Sequence, residues 1–186
     1  MNGTWEADNA LYKFVPHLAP QPVGWGAHEN DPDTSFYLSE FIDMNDDLPG
    51  ARDWATAVSA LHLASRGKSP TGQFGFPVAT HLANVPVDNT WNASWEAFWT
   101  QQMKSLFDQE VRVNGTDDEL EALKTTYLTK VIPRYLRPLE TQGRSVIPCL
   151  VHSDLWPGNI KPRADSGDLC MFDACAYWGH NEGTWS

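Results

Sequence analysis

The sequence predicts an α+β fold, with amphipathic helices in the middle of the chain and short buried strands in its last third. Residues 147–151 (I-P-C-L-V) and 169–172 (L-C-M-F) are brief, almost wholly apolar runs. Pro157-Gly158 and the polar turn Asp165-Ser166-Gly167-Asp168 separate them. That is the pattern of buried strands joined by loops. Residues 51–66 instead place Trp54, Val58, Leu61 and Ser65 at helical spacing. Residues 94–113 set Trp95, Phe98, Trp99, Met103, Leu106 and Phe107 on one broad apolar face, which also reads as helix.

The remaining elements follow in order. Residues 5–15 carry Trp5, Leu11, Phe14 and Val15 on an irregular apolar face and end at Pro16, as a helix does. Pro20 and Pro22 introduce an extended run over residues 23–26. Residues 28–34 read as an acidic turn, and residues 36–42 as an apolar strand interrupted by Ser39 and Glu40. Residues 46–50 hold Pro and Gly and mark a boundary between residues 1–45 and residues 46–186. Gly67 ends the helix over residues 51–66, and His62 on that helix is read as a packing histidine rather than a catalyst. Residues 69–92 show no periodicity, yet Phe74, Phe76 and Trp91 argue for an ordered loop. Ser94 is placed to cap the next helix, whose aromatic stripe reads as core rather than a substrate platform. Thr116-Asp117-Asp118-Glu119 opens a further helix, with Leu120, Leu123, Tyr127 and Val131 in phase until Pro133 ends or kinks it.

Composition narrows the function classes. The 186 residues suit one domain, or part of a larger fold, and 41% hydrophobic content with nine Trp can fill a core. A formal net charge of −11 argues against nucleic acid or an anionic membrane as partner. Cys149, Cys170 and Cys175 have no metal-ligand spacing and read as buried reduced thiols. No apolar run is long enough to span a membrane and no signal-peptide pattern is visible, so the cytoplasm is the expected compartment.

The chemistry concentrates in His152-x-Asp154-x-x-x-x-Asn159 and in Asp173, which follows the second apolar run. A strand–loop–strand hairpin would bring Asn159 and Asp173 together. Phosphoryl transfer needs such a set: a carboxylate to orient and deprotonate the attacking hydroxyl, and an amide with a second carboxylate to hold Mg²⁺ on nucleotide phosphates. The order matches that of a kinase catalytic loop and its metal-binding Asp.

The resemblance goes further. L-V-H-S-D-L-W-P-G-N-I and F-D-A-C-A-Y-W-G-H-N-E are similar to segments of the fructosamine kinase family, also called protein-ribulosamine 3-kinases. Residues 72–76, 36–41 and 60–62 and the D-N-T-W-x-x-S-W-x-x-F segment from Asp88 to Phe98 resemble it too, in family order. The resemblance implies an aminoglycoside-phosphotransferase-like, protein-kinase-like fold. Residues 1–45 would form a partial N-lobe with the hinge, and residues 46–186 a mainly helical C-lobe with the catalytic β-hairpin. It implies ATP and Mg²⁺, with Asp154 as base, His152 bracing the loop, and Asn159 and Asp173 as metal ligands. Glu40, Phe41 and Asp43 would form the hinge that meets adenine; the alternative is an ordinary edge strand and turn. Trp91 and His180 are expected on the substrate side. Trp156 would pack on the sugar or plug the loop beneath Pro157-Gly158. The implied reaction is phosphorylation of the 3-hydroxyl of ketosamines, small or attached to glycated protein lysines. Phosphate elimination would then release the amine.

Departures are equally specific. No G-x-G-x-x-G precedes Phe36, no lysine lies in a V-A-I-K-like setting, and Ser153 stands where the family has Gly. The expected helix glutamate falls on Thr4, with Glu6 two residues away. The chain stops soon after G-H-N-E, so apolar faces over residues 5–15 and 36–42 are expected to be partly uncovered. A catalytically impaired relative that binds a ketosamine or a partner is therefore a second reading. A small-molecule phosphotransferase of the aminoglycoside or choline type is a third.

Overall fold

The computed structural model describes residues 1–184, which leaves Trp185 and Ser186 outside the described residues. Helix α1 (Asn2–Phe14) opens the chain and buries Gly3, Ala7, Asp8 and Leu11. The antiparallel hairpin of β1 (Pro22–His28) and β2 (Asp31–Ser39) follows. Its turn is tighter than the acidic segment suggested: the strand resumes at Asp31, which pairs with His28, and Thr34 Oγ1 donates to Asp31 Oδ2 at 2.6 Å. The apolar strand also stops at Ser39, so Glu40, Phe41 and Asp43 lie in an extended connector. Phe36 and Leu38 remain half-exposed, and Trp5 on α1 meets Tyr37 edge-on at 6.5 Å between ring centroids.

Helix α2 (Ala51–Ser65) buries Ala57, Val58, Leu61 and Ser65, the stripe expected from its spacing, apart from half-buried Trp54. Residues 69–92, expected to be irregular, contain a short hairpin of β3 (Thr80–Leu82) and β4 (Val85–Val87). Phe74 and Asn92 pair across the base of this segment, and Gly75 exchanges both backbone hydrogen bonds with Trp178. A Cβ on Gly75, whose φ is +140°, would lie 2.8 Å from Asn89 O and from the Trp91 ring, so only glycine fits.

Ser94 caps α3 (Trp95–Asn114) by accepting from Ala97 N–H. Only Trp95, Phe98 and Gln102 are fully buried on it. Asp117 caps α4 (Asp118–Thr126). Pro133 does not end the helix that follows. The chain passes through a π-helical turn (Tyr127–Val131) into α5 (Ile132–Leu136). A widened turn spares the missing proline N–H and the clash with the carbonyl four residues back.

The two apolar runs of the C-terminal third are strands, but they do not pair with each other. β5 (Cys149–Val151) pairs with β8 (Tyr177–Gly179), and β6 (Ile160–Pro162) with β7 (Leu169–Met171). The four strands cover three residues each, and β5, β7 and β8 are buried throughout. α2 anchors β5: Ser65 Oγ donates to Leu61 O at 2.7 Å and accepts from Leu150 N at 2.9 Å. One contiguous core joins Leu11 of α1, Leu61 of α2, Leu150 of β5 and Met171 of β7 to Trp95 and Phe98 of α3. Among the described residues no helix is long and apolar enough to cross a membrane.

Candidate active site

Two ladders that open at the same end create the site. β5 leads into residues 152–159, and β7 leads into residues 172–176. Phe172 N donates to Asn159 O at 3.0 Å, which draws the two segments together. Asn159 and Asp173 thus become neighbours through β6 and β7, not through the pairing of the two apolar runs.

His152 ties the segments a second time. It is fully buried, and burial depresses its pKa to about 4, so the ring is neutral. Its Nε2 lies 3.0 Å from Phe172 O, a carbonyl that can only accept, so Nε2 carries the proton. Nδ1 then accepts from Asp154 N–H at 3.4 Å. His152 cannot reach a substrate. It is a positioning residue between Asp154 and the segment holding Asp173.

Asn159 orients Asp154 directly. Its Nδ2 donates to Asp154 O at 2.8 Å and to Asp154 Oδ2 at 3.2 Å. The amide nitrogen is thereby used and Oδ1 is left as the acceptor. Asp173 sits at φ 58°, in the left-handed region that Asp tolerates better than most residues. Its carboxyl is raised above the ordinary carboxylate range, first by burial and then by the charge of Asp154. The Asp154 charge next to Asp173, beside the Asn159 amide oxygen, makes an oxygen-only set that suits a hard cation. The residues therefore fit Mg²⁺, with water and phosphate oxygens completing its shell. Among the described residues no group of three or more His, Cys, Asp or Glu forms a self-sufficient metal site.

The connector expected to be a hinge lies against β6 and Phe172, next to Asp173 in the chain. Glu40, Phe41 and Asp43 line a cleft of about 360 Å³ together with Arg163 and Asp165. Phe41 and Asp43 also line an adjoining cleft of about 280 Å³ that ends on Lys161 and Phe172. Backbone pairing fixes this: Ala164 N donates to Asp43 O and Asn45 N to Pro162 O, both at 2.9 Å. A larger cavity of about 490 Å³, between α2 and the β6–β7 turn, touches none of the loop residues.

The chain belongs to the fructosamine kinase family. The family model for fructosamine kinase matches residues 5–184. Curated relatives include a chloroplastic protein-ribulosamine 3-kinase of Arabidopsis thaliana, 28% identical over 93% of this chain and 49% of that protein. A ketosamine-3-kinase of Mus musculus is 33% identical over 59% of this chain and 33% of that protein. The chain thus spans about half the length of the curated relatives it matches, or less. The fold agrees with a crystal structure from Haemophilus somnus assigned as a fructosamine-3-kinase (TM-score 0.68, 18% identity, 96% of this chain and 56% of the other). It also agrees with an aminoglycoside phosphotransferase in ternary complex with AMP-PNP and hygromycin B (TM-score 0.58, 16% identity, 96% and 58%). The α+β, kinase-like fold class expected from the sequence holds.

In this fructosamine kinase chain the remaining expected site residues scatter. Trp156 is 56% exposed and its ring lies over Gly158, where a Cβ would come within 2.2 Å of it. It is exposed and packs on the Gly158 backbone. Trp91 packs against Gly75, on the edge of β8 away from β5. His180 stacks on Trp95 at 6.1 Å and follows Gly179, which pairs with Cys149. The loop over residues 152–159 leaves the opposite end of that ladder, after Val151, so the ladder's length of roughly 7 Å separates the two. His180 therefore does not join Asp154, because its strand runs away from the loop.

The sequence reading missed Asp8. It looked for a helix acid at Thr4 or Glu6, but the buried acid is one turn further on. Tyr37 Oη donates to Asp8 Oδ2 at 2.8 Å. Burial lifts this carboxyl to about 6, while Tyr37 and the Ala174 N–H pull it back and Asp173 adds to the rise. The signal was there, since Asp8 shares the helix face of Leu11 and Val15.

Proposed function

We propose that this chain carries the catalytic half of an ATP-dependent ketosamine 3-kinase, acting on ribulosamine or fructosamine groups of glycated protein lysines or small amines. The observation that carries the reading is the Asp154–Asn159 pair, set beside Asp173 at the mouth of two ladders and joined by Phe172 to the connector cleft. The names of the relatives supply the substrate class, and the AMP-PNP complex of the aminoglycoside phosphotransferase supports a nucleotide. Residues 1–45 would serve the nucleotide side, with Glu40, Phe41 and Asp43 at its edge, and residues 46–186 the acceptor side. Trp156 would wall the sugar.

Asp154 would aim the ketosamine 3-hydroxyl at the γ-phosphoryl group and accept its proton as the P–O bond forms. The Asn159 donation to Oδ2 holds the carboxylate in place, and His152 fixes its backbone. Asn159 Oδ1 and Asp173 would hold Mg²⁺, which supplies charge neutralisation on the phosphates when bound. Once phosphorylated at C3, the ketosamine would lose phosphate and release its amine.

Asp154→Asn tests this. Asn keeps the shape and an acceptor but lacks the basicity, so turnover on fructosyl- or ribulosyl-lysine should fall about a hundredfold or more, the scale of a general base. KM should change far less. Circular dichroism checks the fold. Near-parent turnover in a folded variant would remove the proposed base. A parent that binds ketosamine without turning it over would instead be a binding relative.

A further inference from the structure

The segment that follows Asp173 is held from its inner side by an unbroken row of buried polar side chains. Gln102 sits on the buried face of α3, one turn past Phe98, and is 2% exposed. Its Nε2 donates to Asn89 Oδ1 at 3.2 Å. Asn89 Nδ2 uses its two protons on Val78 O at 3.1 Å and Thr80 Oγ1 at 2.9 Å. Thr80 Oγ1, already an acceptor, lies 3.3 Å from Cys175 Sγ. Cys175 is buried, and burial lifts its thiol to about 11, so it remains a neutral partner for the hydroxyl.

The row ends two residues beyond Asp173, and no member reaches solvent or the loop. Ordinary packing does not call for it, since apolar side chains would fill the same space without the risk of an orphaned polar atom. A fully satisfied row does what apolar packing does not: it fixes one arrangement of the groups it joins. Asp173 needs such support, because its left-handed backbone is disfavoured for a residue with a Cβ. From the other side, Asp8 faces the Ala174 N–H.

We propose that Thr80, oriented by Asn89 and Gln102, is a positioning residue for Asp173: it pins Cys175 so that the Asp173 carboxylate stays on the side of Asn159. The inference rests on the metal role given to Asp173 under the proposed function.

Thr80→Val removes the hydroxyl and keeps the shape, and Thr80→Ser keeps the hydroxyl. Ketosamine phosphorylation is followed against Mg²⁺ concentration at fixed ATP, beside thermal unfolding of each protein. Thr80→Val should raise the half-saturating Mg²⁺ about tenfold, with a smaller change in kcat at saturating metal, and Thr80→Ser should restore the parent value. A parental Mg²⁺ requirement in folded Thr80→Val overturns the proposal, even if its melting temperature has dropped. If Thr80→Val does not fold, Gln102→Leu reads the far end of the row, and a Mg²⁺ shift of the same sign supports the proposal while none overturns it. A parent without turnover defeats the kinase reading but not this test. Amide hydrogen exchange over residues 173–176 should then quicken in Thr80→Val and recover in Thr80→Ser, and unchanged exchange overturns the positioning role.

Discussion

Replacing Asp8 by Asn should erase a pH dependence that this fold imposes on its own stability. Asp8 is 9% exposed, and its pKa is raised from 3.8 to about 6, chiefly by burial. The difference of about 2 units corresponds to about 3 kcal/mol at 1.36 kcal/mol per unit. The sign follows from the direction of the shift. The folded chain binds this proton more tightly than the unfolded chain does. The stabilisation is complete below pH 3.8 and is lost as pH rises through about 6. Above that the fold carries a buried carboxylate that Tyr37 only partly compensates. Asn presents a neutral side chain at every pH and still accepts from Tyr37. Urea unfolding of both proteins from pH 4 to pH 8 is the assay. The stability of Asp8→Asn minus that of the parent should climb by about 2.4 kcal/mol across this range, most steeply between pH 4 and 6. The new amide against Ala174 can shift the whole difference up or down but cannot tilt it. A difference flat to within about 0.5 kcal/mol would refute the burial argument. Tyr37→Phe offers a check in the same assay: without the donor that favours the carboxylate, the climb should move to higher pH.

Asp173→Ala should abolish the thermal shift that ATP with Mg²⁺ gives the parent, and an equal shift in both proteins would exclude Asp173 as a ligand. Mg²⁺ alone should shift the parent little, because the ion keeps most of its water until phosphate oxygens complete its shell. Ser65→Ala should cost about 1–3 kcal/mol in urea unfolding, since it orphans the buried Leu150 N–H rather than merely deleting a hydroxyl. A loss below about 0.5 kcal/mol would mean that β5 finds another acceptor.

What the sequence disclosed about the site and what it hid have separate physical causes. Asp154, Asn159 and Asp173 were legible as candidates because phosphoryl transfer would demand such groups in that order. Ala51–Ser65 and the Ser94 cap were legible because helices advertise a period and a start. Strand pairing was not legible. A three-residue strand buried on every side, such as Cys149–Val151, shows no alternation and so gives no register. Its partner is β8, and the Leu150 N–H goes to Ser65, which reads in the sequence only as one more member of a helical stripe. His180 illustrates the consequence: seven residues after Asp173 in sequence, it is carried by β8 to the far end of the ladder. Gln102 and Asp8 were hidden for the opposite reason. Each occupies an apolar face where a polar residue looks like noise, and only the fold shows what each one faces. Asn89 Oδ1 accepts from Gln102, and the Tyr37 hydroxyl and Ala174 N–H meet Asp8. Both lines of contact converge on the three residues after Phe172. The sequence thus named the candidate groups, while the polar residues packed around the segment after Phe172 are found only where two helices and a hairpin close on it.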